Sequence, residues 1–130
     1  MPLIVIADED KLVVNHLYAL FRLSGYEVNM AFSAKECLEL LDRPAPDYIM
    51  DAALIDGKIA EDRGAMVISR IKQSKPDTKV LVVANNDSPR NLVLEYGADD
   101  FVIKPVSGET IVNKVNTLVQ TRLADKVENQ

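Results

Sequence analysis

Five short apolar runs, each followed by a stretch of helical periodicity, limit what this chain can become. "LIVIA" (3–7), "YEVNMA" (26–31), "AALID" (52–56), "KVLVVA" (79–84) and "DFVIK" (100–104) have strand length. "LIVIA" is continuous and rich in β-branched residues, the mark of a strand covered on both faces. The intervening segments have apolar residues at helical spacing: 13, 14, 17, 20 and 21 in 11–25, and 66, 67, 68 and 71 in 63–75. The last helix, 107–125, carries them at 111, 112, 115, 118 and 119. Stop and start signals agree with this division. Gly25 and Gly97 end helices. Ser33 with Glu36 three residues on forms a capping box for 33–42. Ser88 reads as N-cap of 88–98, with Pro89 at its first turn. "RPAPDYIMD" (43–51) is an irregular connection with two prolines.

The order is therefore βα repeated five times, an α/β class. Short strands alternating with helices imply a parallel sheet with right-handed crossovers and helices on both faces. At 130 residues the chain fits one domain, taken as 1–124, with the polar "DKVENQ" (125–130) as a fraying tail. The net charge of −5 disfavours nucleic acid and anionic membranes as partners, because phosphates are repelled. No run of 18 apolar residues is present, and "MPLIVIADED" lacks the basic start of a signal peptide. A lone cysteine, Cys37, makes no intrachain disulfide and suits a reducing cytoplasm, where it reads as a packed thiol.

In open parallel sheets, sites form beyond the carboxyl ends of the strands. Those positions hold Asp8, Glu9 and Asp10 after the first strand, Asp56 at the end of the third, Ala84, Asn85 and Asn86 after the fourth, and Lys104 with Pro105 after the fifth. Several carboxylates at one edge repel unless a cation sits among them. Lys104 supplies one fixed charge, and Mg²⁺, a hard ion that takes oxygen ligands, would supply the rest. A carboxylate beside Mg²⁺ and an ammonium is placed to attack a phosphoryl group and become an acyl phosphate. Each position has a plainer reading too. Asp56 also suits a strand-end turn, and Asp10 an N-cap for the first helix. Lys58, Arg63 and Arg70 suit solvated charges, although the Lys58 ammonium is also within reach of the carboxylates. His16 reads as structural or exposed.

With "ADED" (7–10), "ALID" (53–56), Gly64, "YGADDF" (96–101) and "KP" (104–105) in that order, the chain resembles the CheY-like receiver domains of two-component response regulators. The resemblance implies a flavodoxin-like, doubly wound five-stranded sheet of order 2-1-3-4-5. It implies Asp56 as phosphoacceptor, with Mg²⁺ held by Asp8, Glu9, Asp56 and the backbone carbonyl of Lys58. Lys104 would contact the phosphoryl oxygens, and the Lys104–Pro105 bond would be cis. It also implies a cytoplasmic bacterial phosphoprotein that is not itself an enzyme beyond self-phosphorylation from small donors and autodephosphorylation. Its partners would be a histidine kinase or phosphotransfer protein and a downstream protein met through the fourth helix, fifth strand and fifth helix.

The chain departs from the family pattern at four positions. Ala84 stands where the family usually has Thr or Ser, Phe101 is the switch-position aromatic without a hydroxyl, Glu9 replaces an Asp, and Ala60 replaces a Pro. Ala84 opens a second reading, a pseudo-receiver that binds partners without phosphorylation-dependent switching. A Mg²⁺ phosphatase of the aspartyl class usually carries a second Asp where this chain has Lys58, and a flavodoxin's phosphate loop would be repelled by "DED" (8–10).

Overall fold

The computed structural model describes residues 2–42, 52–56 and 66–128, with the backbone course alone for 52–56 and 122–128. The elements run β1 (Leu3–Ala7), α1 (Lys11–Leu23), β2 (Glu27–Ala31), α2 (Ala34–Leu41), β3 (Ala52–Asp56), α3 (Met66–Ser74), β4 (Lys79–Ala84), α4 (Arg90–Glu95), β5 (Asp100–Ile103) and α5 (Gly108–Glu128). All four pairings are parallel and the strand order is β2-β1-β3-β4-β5. The connection 43–51, and Lys58, Ala60, Arg63 and Gly64 in the loop after β3, lie outside the described residues.

Local chemistry sets the helix boundaries. Asp10 caps α1 by accepting from the backbone N–H groups of Leu12 and Val13, and Gly25 turns the chain at φ +91° toward β2. Ser33 Oγ accepts from Glu36 N–H at 3.1 Å, while the Glu36 carboxylate reaches one residue further back than a capping box requires, to Phe32 N–H at 2.7 Å. The α4 start differs from the sequence expectation. Asn86 Oδ1 takes the Ser88 N–H at 2.9 Å and Arg90 N–H donates to the Asp87 carbonyl, so a turn precedes the helix. Pro89, not Ser88, then occupies the cap position, without a side-chain hydrogen bond. Helix α5 runs to Glu128, three residues beyond the 125 read from the sequence.

The period-two alternation of the strands divides the core in two. Val5, Ala7, Val80, Val82 and Ala84 point to the face covered by α2, α3 and α4, where Cys37, Ile68, Ile71 and Val93 pack on them. Ile4, Ile6, Leu81, Val83 and Val102 point to the opposite face, against Val14, Leu17 and Phe21 of α1 and Val112, Val115 and Val119 of α5. Burying each such side chain contributes about 1.5–3 kcal/mol, so the two-sided sheet is the main source of stability. β1 is buried throughout, whereas edge strand β2 buries only Ala31. Met66, grouped with the apolar face of α3 by its spacing, sits at the helix start and is exposed.

Candidate phosphoryl site

Parallel pairing brings the strand ends to one edge. Ala7 lies opposite Ile55, so the next residue, Asp8, and Asp56, which closes β3 opposite Val83, are neighbours there. On the far side Ile103 pairs with Ala84, and Lys104 N–H donates to the Ala84 carbonyl at 2.7 Å. Strands β3 and β4 lie between β1 and β5. Even so, Lys104 Nζ stands 3.6 Å from Asp8 Oδ2, so this ion pair crosses the carboxyl ends of the two central strands.

Asp8 is the one charged side chain buried among the described residues, at 7% exposure. A carboxylate this buried needs donors and a counter-charge. It has both: Asp10 N–H donates to Oδ1 at 2.9 Å, and Lys104 faces Oδ2. Its own N–H donates to the Ala31 carbonyl at 3.1 Å, which fixes the turn out of β1 against the end of β2. Glu9 is exposed beside it, and Asp10 is occupied as the helix cap. The Lys104–Pro105 peptide bond is cis.

Two carboxyl residues, the end of β3 and an ammonium thus share one edge. Asp8 and Glu9 carry the hard oxygen donors of the kind that a Mg²⁺ ion takes. Among the described residues no three His, Cys, Asp or Glu side chains gather as a ready metal cage. The expected set also includes Asp56, described here by its backbone position alone, and Lys58, which lies outside the described residues.

Around this edge the fourth and fifth strands are apolar. Ala84 is 3% exposed and Phe101 4%, both in the cluster that faces α2–α4. Sequence reasoning missed what covers Phe101: the Arg90 guanidinium lies over its ring, 4.7 Å from the centroid, and is itself paired with Asp87. The only local signal is the i,i+3 spacing of Asp87 and Arg90. Asn85 and Asn86 are exposed, the latter engaged with Ser88 N–H. His16 is exposed on α1.

A family model for the response regulator receiver domain matches residues 4–116. The chain belongs to that family. This receiver is 31% identical over 123 residues to the transcriptional regulatory protein PrrA of Mycobacterium leprae, covering 93% of this chain and 51% of that protein. It is 29% identical over 130 residues to the response regulator MprA of Mycolicibacterium vanbaalenii, covering 96% of this chain and 54% of that one. The chain spans about half the length of the curated relatives it matches. A CheY-like receiver domain from Methanospirillum hungatei superposes with a TM-score of 0.86 at 22% identity, over 96% of this chain and 98% of that one. A response regulator from Burkholderia pseudomallei, with a phosphorylated aspartic acid, calcium ion and citrate, gives 0.77 at 21% identity, over 100% and 76%. These structures establish the shared receiver fold, a module of two-component signalling.

Proposed function

We propose that this receiver accepts a phosphoryl group on Asp56, with Mg²⁺ held by Asp8, Glu9, Asp56 and the backbone carbonyl of Lys58. The observation that carries the reading is the Asp8–Lys104 ion pair, at 3.6 Å across the ends of the central strands. An ammonium drawn over that edge supports the reading, since it would be available to the oxygens of a phosphoryl group on Asp56 as they develop charge. The donor is a phosphohistidine on a histidine kinase or phosphotransfer protein. An Asp56 oxygen forms a bond to phosphorus as the bond from phosphorus to the imidazole nitrogen breaks, and the electron pair leaves with the imidazole. Asp8, Glu9, Asp56 and the Lys58 carbonyl would hold Mg²⁺, which when bound would supply charge neutralisation to the transferring oxygens. Lys104 supports the same oxygens, and Asp8, held by Asp10 N–H, orients the acidic edge. The Burkholderia structure holds a phosphorylated aspartic acid and a calcium ion, which supports an aspartyl phosphate as the product here.

The protein is a phosphoacceptor rather than an enzyme with turnover, and it works in the cytoplasm. No helix among the described residues is long and apolar enough to cross a membrane. Output runs through protein contact at the α4–β5–α5 surface, where Leu92, Leu94, Tyr96 and Ile103 are exposed. The test is incubation with Mg²⁺ and acetyl phosphate followed by intact mass and peptide mapping. One added phosphoryl group on Asp56, absent from Asp56→Asn, is expected. An unmodified Asp56 under conditions that label another receiver would overturn the proposal.

Ala84 favours a second reading. It offers no hydroxyl to a phosphoryl group and sits in an apolar cluster with Phe101. A pseudo-receiver would bind its partner equally well with Asp56 or Asn at that position; a phosphorylation-gated receiver would lose affinity with Asp56→Asn.

A further inference from the structure

A cavity of about 400 Å³ lies between the start of α1 and the β5–α5 connection, beside Asp8 and Lys104. Its walls are aliphatic: Ile6, Val13, Leu17, Val83, Val106 and Ile111. Helices α1 and α5 are not loosely packed in general. At Gly108, the first residue of α5, an added Cβ would run into Leu20 Cδ1, so the two helices touch there. The space opens toward the strand ends, lined by Val13 of α1 and by Val106 just before α5. An apolar space of this kind gives water few partners, and its lining lacks dispersion contacts until something fills it. Small-molecule pockets are about 300–1,000 Å³, apolar, with a few polar groups that orient the ligand.

The polar groups of the lining select the charge of an occupant. Their side chains are Asp8, Lys104 and His16. Asp8 Oδ1 accepts from Asp10 N–H, and Oδ2 faces Lys104 Nζ at 3.6 Å, so the carboxylate and the ammonium already serve one another. An anionic ligand would have to draw Lys104 out of that pair, beside Asp8 and the exposed Glu9. A cationic ligand would meet the Lys104 ammonium and exchange its water for aliphatic walls. Either charge carries a desolvation cost that the closed pair does not offset. A neutral body leaves the pair as it is. A hydroxyl both donates and accepts, so it suits a lining that holds a carboxylate, an ammonium and an imidazole. At the rim Leu12 is 81% exposed, an apolar side chain that a bound aliphatic chain would cover.

We infer that this cavity binds a short neutral aliphatic alcohol, its chain between Val13, Val106 and Ile111 and its hydroxyl on the His16 side. The occupant fills space and leaves the Asp8–Lys104 pair in place. This binding goes beyond the phosphoacceptor reading and does not depend on it: labelling of Asp56 neither supports nor opposes it.

The probe is 1-hexanol, titrated into the full chain labelled with ¹⁵N, with hexanoate and hexylammonium as charged probes of the same chain length. Saturable shifts are expected for hexanol at the amides of Val13, Val106 and Ile111 and at the His16 ring protons. Both charged probes are expected to bind about tenfold more weakly or less, because the charge must be desolvated at the cavity. Val106→Phe fills the cavity and is expected to abolish the hexanol shifts. If that variant fails to fold, Val13→Phe fills it from the α1 side. Absence of saturable shifts with hexanol, or shifts unchanged in the filled variants, would remove the site. Hexanoate or hexylammonium binding as tightly as hexanol would overturn the assignment of a neutral ligand.

Discussion

Asp8 shows how much a single residue reveals before and after folding. Its place after an apolar run marked it as a candidate in the sequence, with Asp10 two residues on read as the helix cap. Folding separates the two roles: Asp10 takes both cap hydrogen bonds, while Asp8 is buried and turned toward Lys104. The sequence alone assigns the cap to Asp10; what it does not show is the burial of Asp8, which depends on the carboxylate that the β1–α1 turn directs inward. Asp8→Asn keeps the acceptor for Asp10 N–H and removes the charge. Mg²⁺ affinity should fall about tenfold or more, the worth of one charge-assisted contact, as read by Mg²⁺ titration of an amide spectrum. Cys37 makes a second residue-scale case. Burial raises its thiol from the ordinary value of 9.0 to about 12. Below pH 9.0 both folded and unfolded chains keep the proton and nothing changes. Between 9.0 and about 12 the unfolded thiol ionises first, so the unfolded state binds fewer protons and stability falls as pH rises. The slope approaches about 1.4 kcal/mol per pH unit. Urea unfolding from pH ~8 to ~10.5 should show a steeper loss in the wild type than in Cys37→Ala, which lacks the titrating group.

At the scale of elements, the sequence was legible where the signal is local. Ser33 and Glu36 were readable because an N-cap needs only a short oxygen-bearing side chain three residues from a free N–H, and Ser33→Ala should cost about 1 kcal/mol in urea unfolding. Ser88 carried the same signal and does not cap: it lies in the turn closed by its N–H on Asn86 Oδ1, and Pro89, already in helical conformation, occupies the cap position. Competition between neighbouring Asx and Ser groups is decided by backbone geometry that composition does not encode. The two positive-φ glycines separate the same causes. Gly25 has φ +91° with open space around a would-be Cβ. Gly97 has φ +117°, and its Cβ would stand 2.9 Å from Lys72 Cγ. Lys72 cannot swing away freely, since its ammonium holds the Thr78 carbonyl at 2.7 Å and Asp99 at 2.6 Å. Gly25→Ala should therefore cost only the backbone term, about 1–2 kcal/mol, and Gly97→Ala measurably more. Parallel urea melts of the two variants check the ordering.

For the whole molecule, the alternation of runs dictated a parallel sheet, and that sheet converts residues far apart in sequence into one edge. Asp8 and Lys104 were findable because each follows a strand. The Arg90 cover on Phe101 and the cavity beside Lys104 were not, since both depend on how helices settle on the sheet rather than on any local pattern. The proposed site would gather Asp8, Glu9 and Asp56 at the ends of neighbouring strands in a chain of net charge −5, where carboxylates without a counter-ion repel. A divalent cation that binds the folded edge and not the unfolded chain must then stabilise the fold through mass action. At ten times its dissociation constant, Mg²⁺ should contribute about 1.4 kcal/mol, a rise of a few degrees in the unfolding midpoint. On the proposed site, Asp56→Asn removes one ligand and one repelling charge together. It should unfold at a higher midpoint than wild type in chelator and respond less to Mg²⁺, so the two curves converge as the metal is added. Thermal melts with NaCl at matched ionic strength separate binding from screening. An equal rise with Na⁺, or an equal Mg²⁺ response in both chains, would mean that the acidic edge is diffusely screened rather than bridged by a bound ion.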